Sequence, residues 1–442
     1  MTLKYLNIDN KIDQDNVINI MKKYNVFLTG LPGSGKTYIT QSYIKYCSDN
    51  NLTIGITAST GIAAKLLDNK MYSTSTIHSW SGIDIIEKND TYEKILQRVL
   101  EKPYVVNRWK KTTVLIIDEI SLIDMKIFNF LDKIGKHIRG KDAPFGGIRI
   151  LVVGDFYQLP PVNGDFCFIS EVWDSTFDYN INLKTSYRSS DINMNKILNT
   201  IRKGKILKPN MLQKLRNRSV TKINCFPIMV PLREMARNIN NNMMNKNTNI
   251  IFKSNAIYNN NLIKDSIMKL SPLEDELVLK IGCPVIFLIN CRIKGLMNGM
   301  VGKVIDFIND KPVVLFPDIG EYIIEKHIWE KVENNKVIKM EQFPLLLSYA
   351  VTIHRSQGQT LSQASIVLNK NVWERSQAYV ALSRLKSLNG LNLLDFDINI
   401  FNKFNTKDIM VKKYYEKFIF KNNFIVYYNN HVYLFFFLNY NI

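Results

Sequence analysis

Eight consecutive residues, Gly30-Leu31-Pro32-Gly33-Ser34-Gly35-Lys36-Thr37, bring together the groups that hold a polyphosphate. They follow the apolar run 24–28 and precede the helix-like stretch 38–46, so the order reads strand, loop, helix. Glycines at 30, 33 and 35, with Ser34 between them, let successive backbone N–H groups turn inward, and the helix start adds the positive end of its dipole. Lys36 then reaches the terminal phosphates, and the Thr37 hydroxyl is placed to bind Mg²⁺. A second group closes the apolar run Leu115-Ile116-Ile117 with two acids, Asp118 and Glu119. Alone, these acids serve equally well as a helix cap and a surface charge. Beside a phosphate loop, Asp118 is placed to hold Mg²⁺ through water, and Glu119 to polarise the water that attacks a γ-phosphate. A third group, Gly154 to Pro161, ends the next strand and offers Gln158 to the γ-phosphate, from where it would report to a second site. The chemistry is binding and hydrolysis of a nucleoside triphosphate.

All three groups need strands that end at one edge. Between residue 24 and about residue 183, β-branched runs at 53–58, 113–118 and 148–154 alternate with amphipathic stretches such as 126–138. That alternation predicts an α/β fold, a parallel sheet covered by helices, whose ligands bind at the carboxyl ends of the strands. The length of 442 residues suggests two to four domains. Residues 83–110 are polar and helical in pattern, a small insertion. Residues 201–244 carry Arg202, Lys203, Lys205, Lys208, Lys214, Arg216 and Arg218, read for the most part as a solvated face, and Asn-rich 240–249 reads as a loop. From 278 to 317 short strands with glycine turns give the signature of a small β-barrel, with Asn298-Gly299 as a tight turn. Residues 419–442 read as a hairpin around Asn429-Asn430 that packs on the body of the protein or docks a partner.

Lysine and arginine total 58 against 39 acidic residues, a net charge of +19. Such an excess points to a polyanionic partner, of which nucleic acid is the commonest. The five cysteines, Cys47, Cys167, Cys225, Cys283 and Cys291, form no C-x-x-C pair, which argues against a metal cluster or disulfide framework. No secretion signal, organelle-import signal or bilayer-spanning run is visible, so an intracellular protein without a membrane role is expected. The abundance of Asn, Ile, Lys and Tyr suggests an A+T-rich coding sequence, which together with the lack of a targeting segment leans toward a large DNA virus as source, acting in its host cell.

The order of motifs resembles the Pif1-like DNA helicases, the superfamily-one branch that moves 5′ to 3′. The phosphate loop is followed by Ala58-Ser59-Thr60-Gly61-Ile62-Ala63-Ala64, Thr76-Ile77-His78-Ser79-Trp80, Asp118-Glu119-Ile120-Ser121, Pro144-Phe145-Gly146-Gly147 and Gly154 to Pro161. Then come Leu183 to Arg188, the stretch Tyr349 to Leu361 containing Thr352-Ile353-His354-Arg355-Ser356-Gln357-Gly358, and Tyr379-Val380-Ala381-Leu382-Ser383-Arg384. The resemblance implies two tandem RecA-like motor domains, 1–180 and 181–260 with 341–418, a Src-homology-three-like barrel at 261–340, a wedge-like insertion near 83–110 and a tail at 419–442. It implies ATP and Mg²⁺ as cofactors and single-stranded and partial-duplex DNA as partners, in replication, recombination, repair or telomere-type maintenance. Gln14 stands where the family reads adenine. Arg188 and Arg384 stand where arginines stabilise the transition-state charge at a cleft between the motor domains. Thr60, His78, Pro160, Thr352, His354 and Ser356 form the expected strand-binding surface, with Trp80 and Phe156 as stacking platforms or core residues. Loss of His354 is expected to weaken strand binding and flatten its salt dependence. Rival readings are a RecD-like helicase, a DNA-stimulated translocase, a non-catalytic DNA-binding module and an RNA-directed ATPase. Leu31-Pro32 and Arg355 depart from the usual family residues without removing a catalytic group, and no long N-terminal extension is expected.

Overall fold

Strands β1 (Lys4–Ile8), β2 (Val26–Gly30), β3 (Ile54–Ala58), β4 (Thr74–Thr76), β5 (Val114–Asp118), β6 (Arg149–Val153) and β7 (Tyr179–Leu183) form one parallel sheet, in the order β1-β7-β2-β6-β5-β3-β4. Every residue of β2 is buried, as are four of five in β5 and β6. Apolar side chains on both faces demand helices on both faces, which is why these runs occupy the middle of the sheet. The structure, a computed structural model, describes residues 3–9, 11–67, 72–84, 86, 90–162, 164–187, 191–223, 226–259, 274–289, 291, 295–296, 299–317, 319–333, 336–402, 405–420, 424–428 and 431–435.

Helices α1 (Lys11–Met21), α2 (Lys36–Asp49), α3 (Gly61–Leu66), α4 (Ile77–Ser81), α5 (Tyr92–Leu100), α6 (Pro103–Lys111), α7 (Met125–Arg139) and α8 (Trp173–Thr176) join these strands. In α7 the buried Phe128, Leu131, Asp132, Gly135 and Ile138 follow helical spacing, Asp124 caps its start through the Lys126 N–H, and left-handed Gly140 closes it. The motif Pro144–Gly147 is a turn packed on α7. Asp132 accepts the Phe145 N–H at 2.8 Å, and Arg139 donates to the carbonyls of Gly146, Trp109, Lys110 and Thr112. The insertion at 83–110 holds α5 and α6, anchored by the Trp109 indole donating to Ser81 O at 3.1 Å.

By contact the chain divides into two compact units, Met1–Gln213 with Glu374–Leu388 and Ile398–Ile442, and Lys214–Trp373 with Asn389–Asp397. The first unit also holds α9 (Ile192–Arg202) and α10 (Pro209–Arg216, which reaches into the second). The second unit holds α11 (Arg233–Lys246) and a four-stranded parallel sheet in the order Ala350–Thr352, Ile228–Val230, Ala364–Val367, Leu391–Leu394. A five-stranded antiparallel sheet joins Gly320–Ile323, Lys311–Phe316, Val301–Ile308, Pro284–Phe287 and Leu345–Leu347. Asn298, of the expected tight turn, lies outside the described residues. The expected loop at 240–249 is instead helical through Lys246. Buried Asn240 accepts the Ala350 N–H and donates to the Leu347 and Ala350 carbonyls, so tertiary hydrogen bonds override a poor local preference.

The chain returns to the first unit for α12 (Arg375–Ser383) and α13 (Thr406–Phe420). From α13, Val411, Tyr414, Tyr415 and Phe418 enter the same core as Phe27, Phe128, Phe156 and Trp173. Phe424–Tyr428 and His431–Phe435 pair as antiparallel strands. Cys47, Cys167, Cys283 and Cys291 are free thiols, while Cys225 lies outside the described residues. Among the described residues no helix is long and apolar enough to cross a membrane.

Candidate active site

The loop between β2 and α2 is built by close backbone approach. A Cβ at Gly30 would lie 2.5 Å from the Leu183 carbonyl oxygen, so only glycine fits there. Gly35 caps α2 in the left-handed region, φ 90°, turning the chain into the helix whose first residue is Lys36. The segment after β7 braces the loop, with Leu31 N–H donating to Leu183 O (3.3 Å), Tyr187 N–H to Gly33 O (2.7 Å) and Ser186 Oγ to Pro32 O (2.8 Å). Lys36 Nζ donates to the Gly30 and Leu31 carbonyls at 2.8 and 3.0 Å, so the ammonium is held over the loop.

At the same edge of the sheet, Ser59 N–H donates to Asp118 O and Gly154 N–H to Leu28 O, both at 3.1 Å. The ends of β2, β3, β5 and β6 are therefore level. Asp118 Oδ1 accepts the Glu119 N–H at 2.8 Å, and Glu119 itself adopts φ 52°, ψ 45°. A left-handed backbone at a residue with a side chain costs about 1–3 kcal/mol and is characteristic of functional sites. Burial first, then the neighbouring Glu119 charge, raises the Asp118 carboxyl to about 7, against the pull of the Glu119 N–H and the Lys36 charge.

Residues 155–158 form a turn, Gln158 N–H to Asp155 O at 2.9 Å. Gln158 is 4% exposed, and its side-chain oxygen is buried without a hydrogen-bond partner among the described residues, as is the hydroxyl of Ser121. An orphaned buried acceptor costs about 1–3 kcal/mol unless a ligand or water satisfies it. A glycine-lined loop at a helix start, a held lysine, paired acids and an orphaned glutamine oxygen fit a nucleoside triphosphate with its cation. Among the described residues no three His, Cys, Asp or Glu gather to hold a metal alone, and Mg²⁺ needs only one or two protein ligands beside phosphates.

Asp155, fully buried, is the centre of a polar network that the sequence did not disclose. Arg202 donates to it through Nε (3.1 Å) and Nη2 (3.1 Å), Tyr379 OH at 3.0 Å and Tyr415 OH at 3.4 Å. Arg202, expected with its neighbours on a solvated face, is 7% exposed because this carboxylate holds it. Arg384 is buried at the end of α12 in the same unit, donating to Val380 O and Ser383 Oγ. Arg188 and the side chain of Gln14 lie outside the described residues.

The expected strand-binding residues divide between the units. In the first, Thr60 caps α3 by accepting the Ala63 N–H, His78 is half-buried on α4, and Pro160 is buried. Burial lowers the His78 pKa against the opposing charge of Asp84. In the second, Thr352 and Ser356 are buried, Ser356 Oγ donating to Ile353 O at 2.8 Å. His354 stacks on Trp373 with ring centroids 5.8 Å apart and planes at 23°. Trp373 is 49% exposed, an aromatic surface that no motif pointed to. Trp80 and Phe156 are core residues and not stacking platforms. Trp80 packs edge-on against Trp109 and closes over Gly55, and Phe156 is ringed by Phe27, Phe166, Phe168, Trp173 and Tyr414.

The sequence profile of PIF1-like helicases matches residues 6–219. The ATP-dependent DNA helicase Pif1 of Bdellovibrio bacteriovorus is 33% identical to this chain, over 87% of the chain and 88% of the relative. The crystal structure of Pif1 helicase from Candida albicans superposes with a TM-score of 0.82 at 30% identity, covering 92% of this chain and 99% of that one. That of Bacteroides Pif1 in complex with ADP-AlF3 and ssDNA gives 0.73 at 25%, covering 92% and 97%.

Proposed function

Because this chain belongs to the PIF1-like helicase family, we infer that its phosphate loop, Asp118, Glu119 and Gln158 hydrolyse ATP to drive a motor along DNA. The protein is an ATP-dependent DNA helicase that binds single-stranded and partial-duplex DNA and moves 5′ to 3′. The observation that carries this reading is the meeting of these groups at the level carboxyl ends of β2, β3, β5 and β6.

The loop N–H groups and Lys36 would hold the β- and γ-phosphates. Thr37 and Asp118 would hold Mg²⁺, which when bound neutralises phosphate charge. Glu119, fixed by its left-handed backbone, takes a proton from the attacking water. The buried Gln158 oxygen accepts the other hydrogen of that water, which sets the line of attack. Arg188 and Arg384 would stabilise charge on the transferring phosphoryl group, and Gln14 would read the base. The second parallel sheet, with strands between 228 and 394, supports reading 181–260 and 341–418 as a second RecA-like motor domain. The antiparallel strands between 284 and 347 support the barrel insertion. Replication, recombination and repair are the processes such a motor serves.

Unwinding assays on duplexes with a 5′ or a 3′ single-stranded tail test the reading. Displacement of the 5′-tailed substrate alone, lost in Glu119→Gln, is expected. Opening of the 3′-tailed duplex would overturn the polarity, and full activity of Glu119→Gln would remove the assigned base.

Burial and the adjacent Arg233 charge lower the His354 pKa and favour the neutral imidazole, and a neutral contact releases no counterion. His354→Ala should therefore weaken strand binding severalfold with an unchanged salt slope, contrary to the flattened slope expected of a charged contact. Trp373→Ala should weaken binding about tenfold, as base stacking on an aromatic face does. An abasic strand should abolish that difference, and equal losses on normal and abasic strands would make the contact one to the backbone.

A further inference from the structure

The hydroxyl of Tyr415 is a junction between parts of the first unit that the recognised motifs leave separate. Tyr415 lies on α13, beyond residues 6–219 and beyond the last motif at Arg384. Its oxygen is 2.6 Å from Thr29 Oγ1, 3.2 Å from Phe156 N and 3.4 Å from Asp155 Oδ1. Thr29 is the residue before Gly30, and Phe156 lies in the turn that ends at Gln158.

Hydrogen-bond valence fixes the directions. Asp155 takes the Arg202 guanidinium as a carboxylate and can only accept, so the Tyr415 hydrogen goes to Asp155. The Tyr415 oxygen then accepts from the Phe156 N–H and the Thr29 hydroxyl, which uses its full capacity. Burial and the Asp155 charge hold the phenol well above its ordinary range, so it stays a neutral donor. The ring is fixed independently. It stacks on Tyr157 at 4.6 Å and 19°, and the Arg202 guanidinium lies 5.1 Å from its centroid. Tyr379, the other hydroxyl on Asp155, belongs to α12, which Arg384 caps.

We propose that Tyr415 is a positioning residue for ATP hydrolysis, its hydroxyl locking the phosphate-loop strand at Thr29 to the Asp155–Gln158 turn. The lock sets the separation of Lys36 and the Gln158 amide. It rests on the role given to Gln158 above. The C-terminal helix is thereby part of the motor's catalytic frame, in addition to its place in the core.

Steady-state hydrolysis by the full chain with saturating single-stranded DNA tests this. Tyr415→Phe keeps the ring contacts and removes only the hydroxyl. Its kcat should fall about tenfold with KM for ATP and strand affinity within twofold of wild type and melting within a few degrees. Thr29→Val should give the same loss from the other side of the bridge, and the double variant should be no worse than either single one. A lowered melting temperature with unchanged kcat in Tyr415→Phe would reduce the hydroxyl to a structural role, and multiplicative losses in the double variant would break the bridge. If Tyr415→Phe fails to fold, Thr29→Val alone decides by its kcat. Gln158→Ala run in parallel separates the two failures. Intact hydrolysis there removes the role of Gln158, whereas its loss beside a normal Tyr415→Phe removes only the lock.

Discussion

Lys36→Ala is expected to lower DNA-stimulated ATP hydrolysis by at least about 10²- to 10³-fold while leaving affinity for single-stranded DNA within about twofold. The magnitude follows from removing one preorganised cation from a transferring phosphoryl group, which costs several kcal/mol of transition-state stabilisation. The selectivity follows from where the ammonium is held. Its partners are the Gly30 and Leu31 carbonyls, and the loop's shape is kept by other bonds, from Leu31, Ser186 and Tyr187. Hydrolysis measured by phosphate release, beside strand binding by anisotropy, checks both halves. Parallel loss of hydrolysis and strand binding would show that Lys36 supports the fold and not the phosphates.

Asp118→Asn should abolish hydrolysis and at the same time stabilise the nucleotide-free protein at alkaline pH. The folded Asp118 carboxyl titrates at about 7, against about 3.9 in an unfolded chain. A folded pKa above the unfolded one means that this group's contribution is fully present below about pH 4 and is lost progressively as pH rises through 7. Asparagine cannot ionise and escapes that loss. The variant's gain should be near zero at pH 4 and reach order 1–4 kcal/mol at pH 8, several degrees in melting temperature. Melting curves of both proteins without nucleotide across that range decide the matter. A variant that melts lower than wild type at pH 8 would mean that the ionised carboxylate is stabilised by its surroundings. The same proton must leave when a cation binds there, so Mg²⁺ dependence of the wild-type rate should sharpen below pH 7.

What could be read from the sequence was local. The phosphate loop, the Asp118-Glu119 pair and the Gln158 turn each lie within a few residues of a strand end, and a parallel sheet brings strand ends together without further instruction. The motif Pro144–Gly147 was legible as a motif but not as a device. Its role is to let left-handed Phe145 and Gly146 approach the backbone of Gly135, which is a property of the packed pair. Arg202 and Tyr415 were illegible because the carboxylate that gives them meaning lies 47 and 260 residues away. Trp80 and Phe156 carried the composition of a base-stacking surface, yet burial and not residue type decides whether a ring faces a strand or a core. For Asn240 the local signal for a loop lost to two carbonyls and an N–H of a distant segment.

The core that begins with Tyr5 and Phe27 is completed by Tyr414, Tyr415 and Phe418. During synthesis the first sheet must therefore wait, with Phe27, Phe156 and Trp173 unsealed, until Thr406–Phe420 has left the ribosome. The second unit, Lys214–Trp373 with Asn389–Asp397, is made in that interval and carries sheets of its own. A chain stalled before residue 406 would present an aromatic groove in place of a motor, and quality-control proteases would meet it as an unfinished protein.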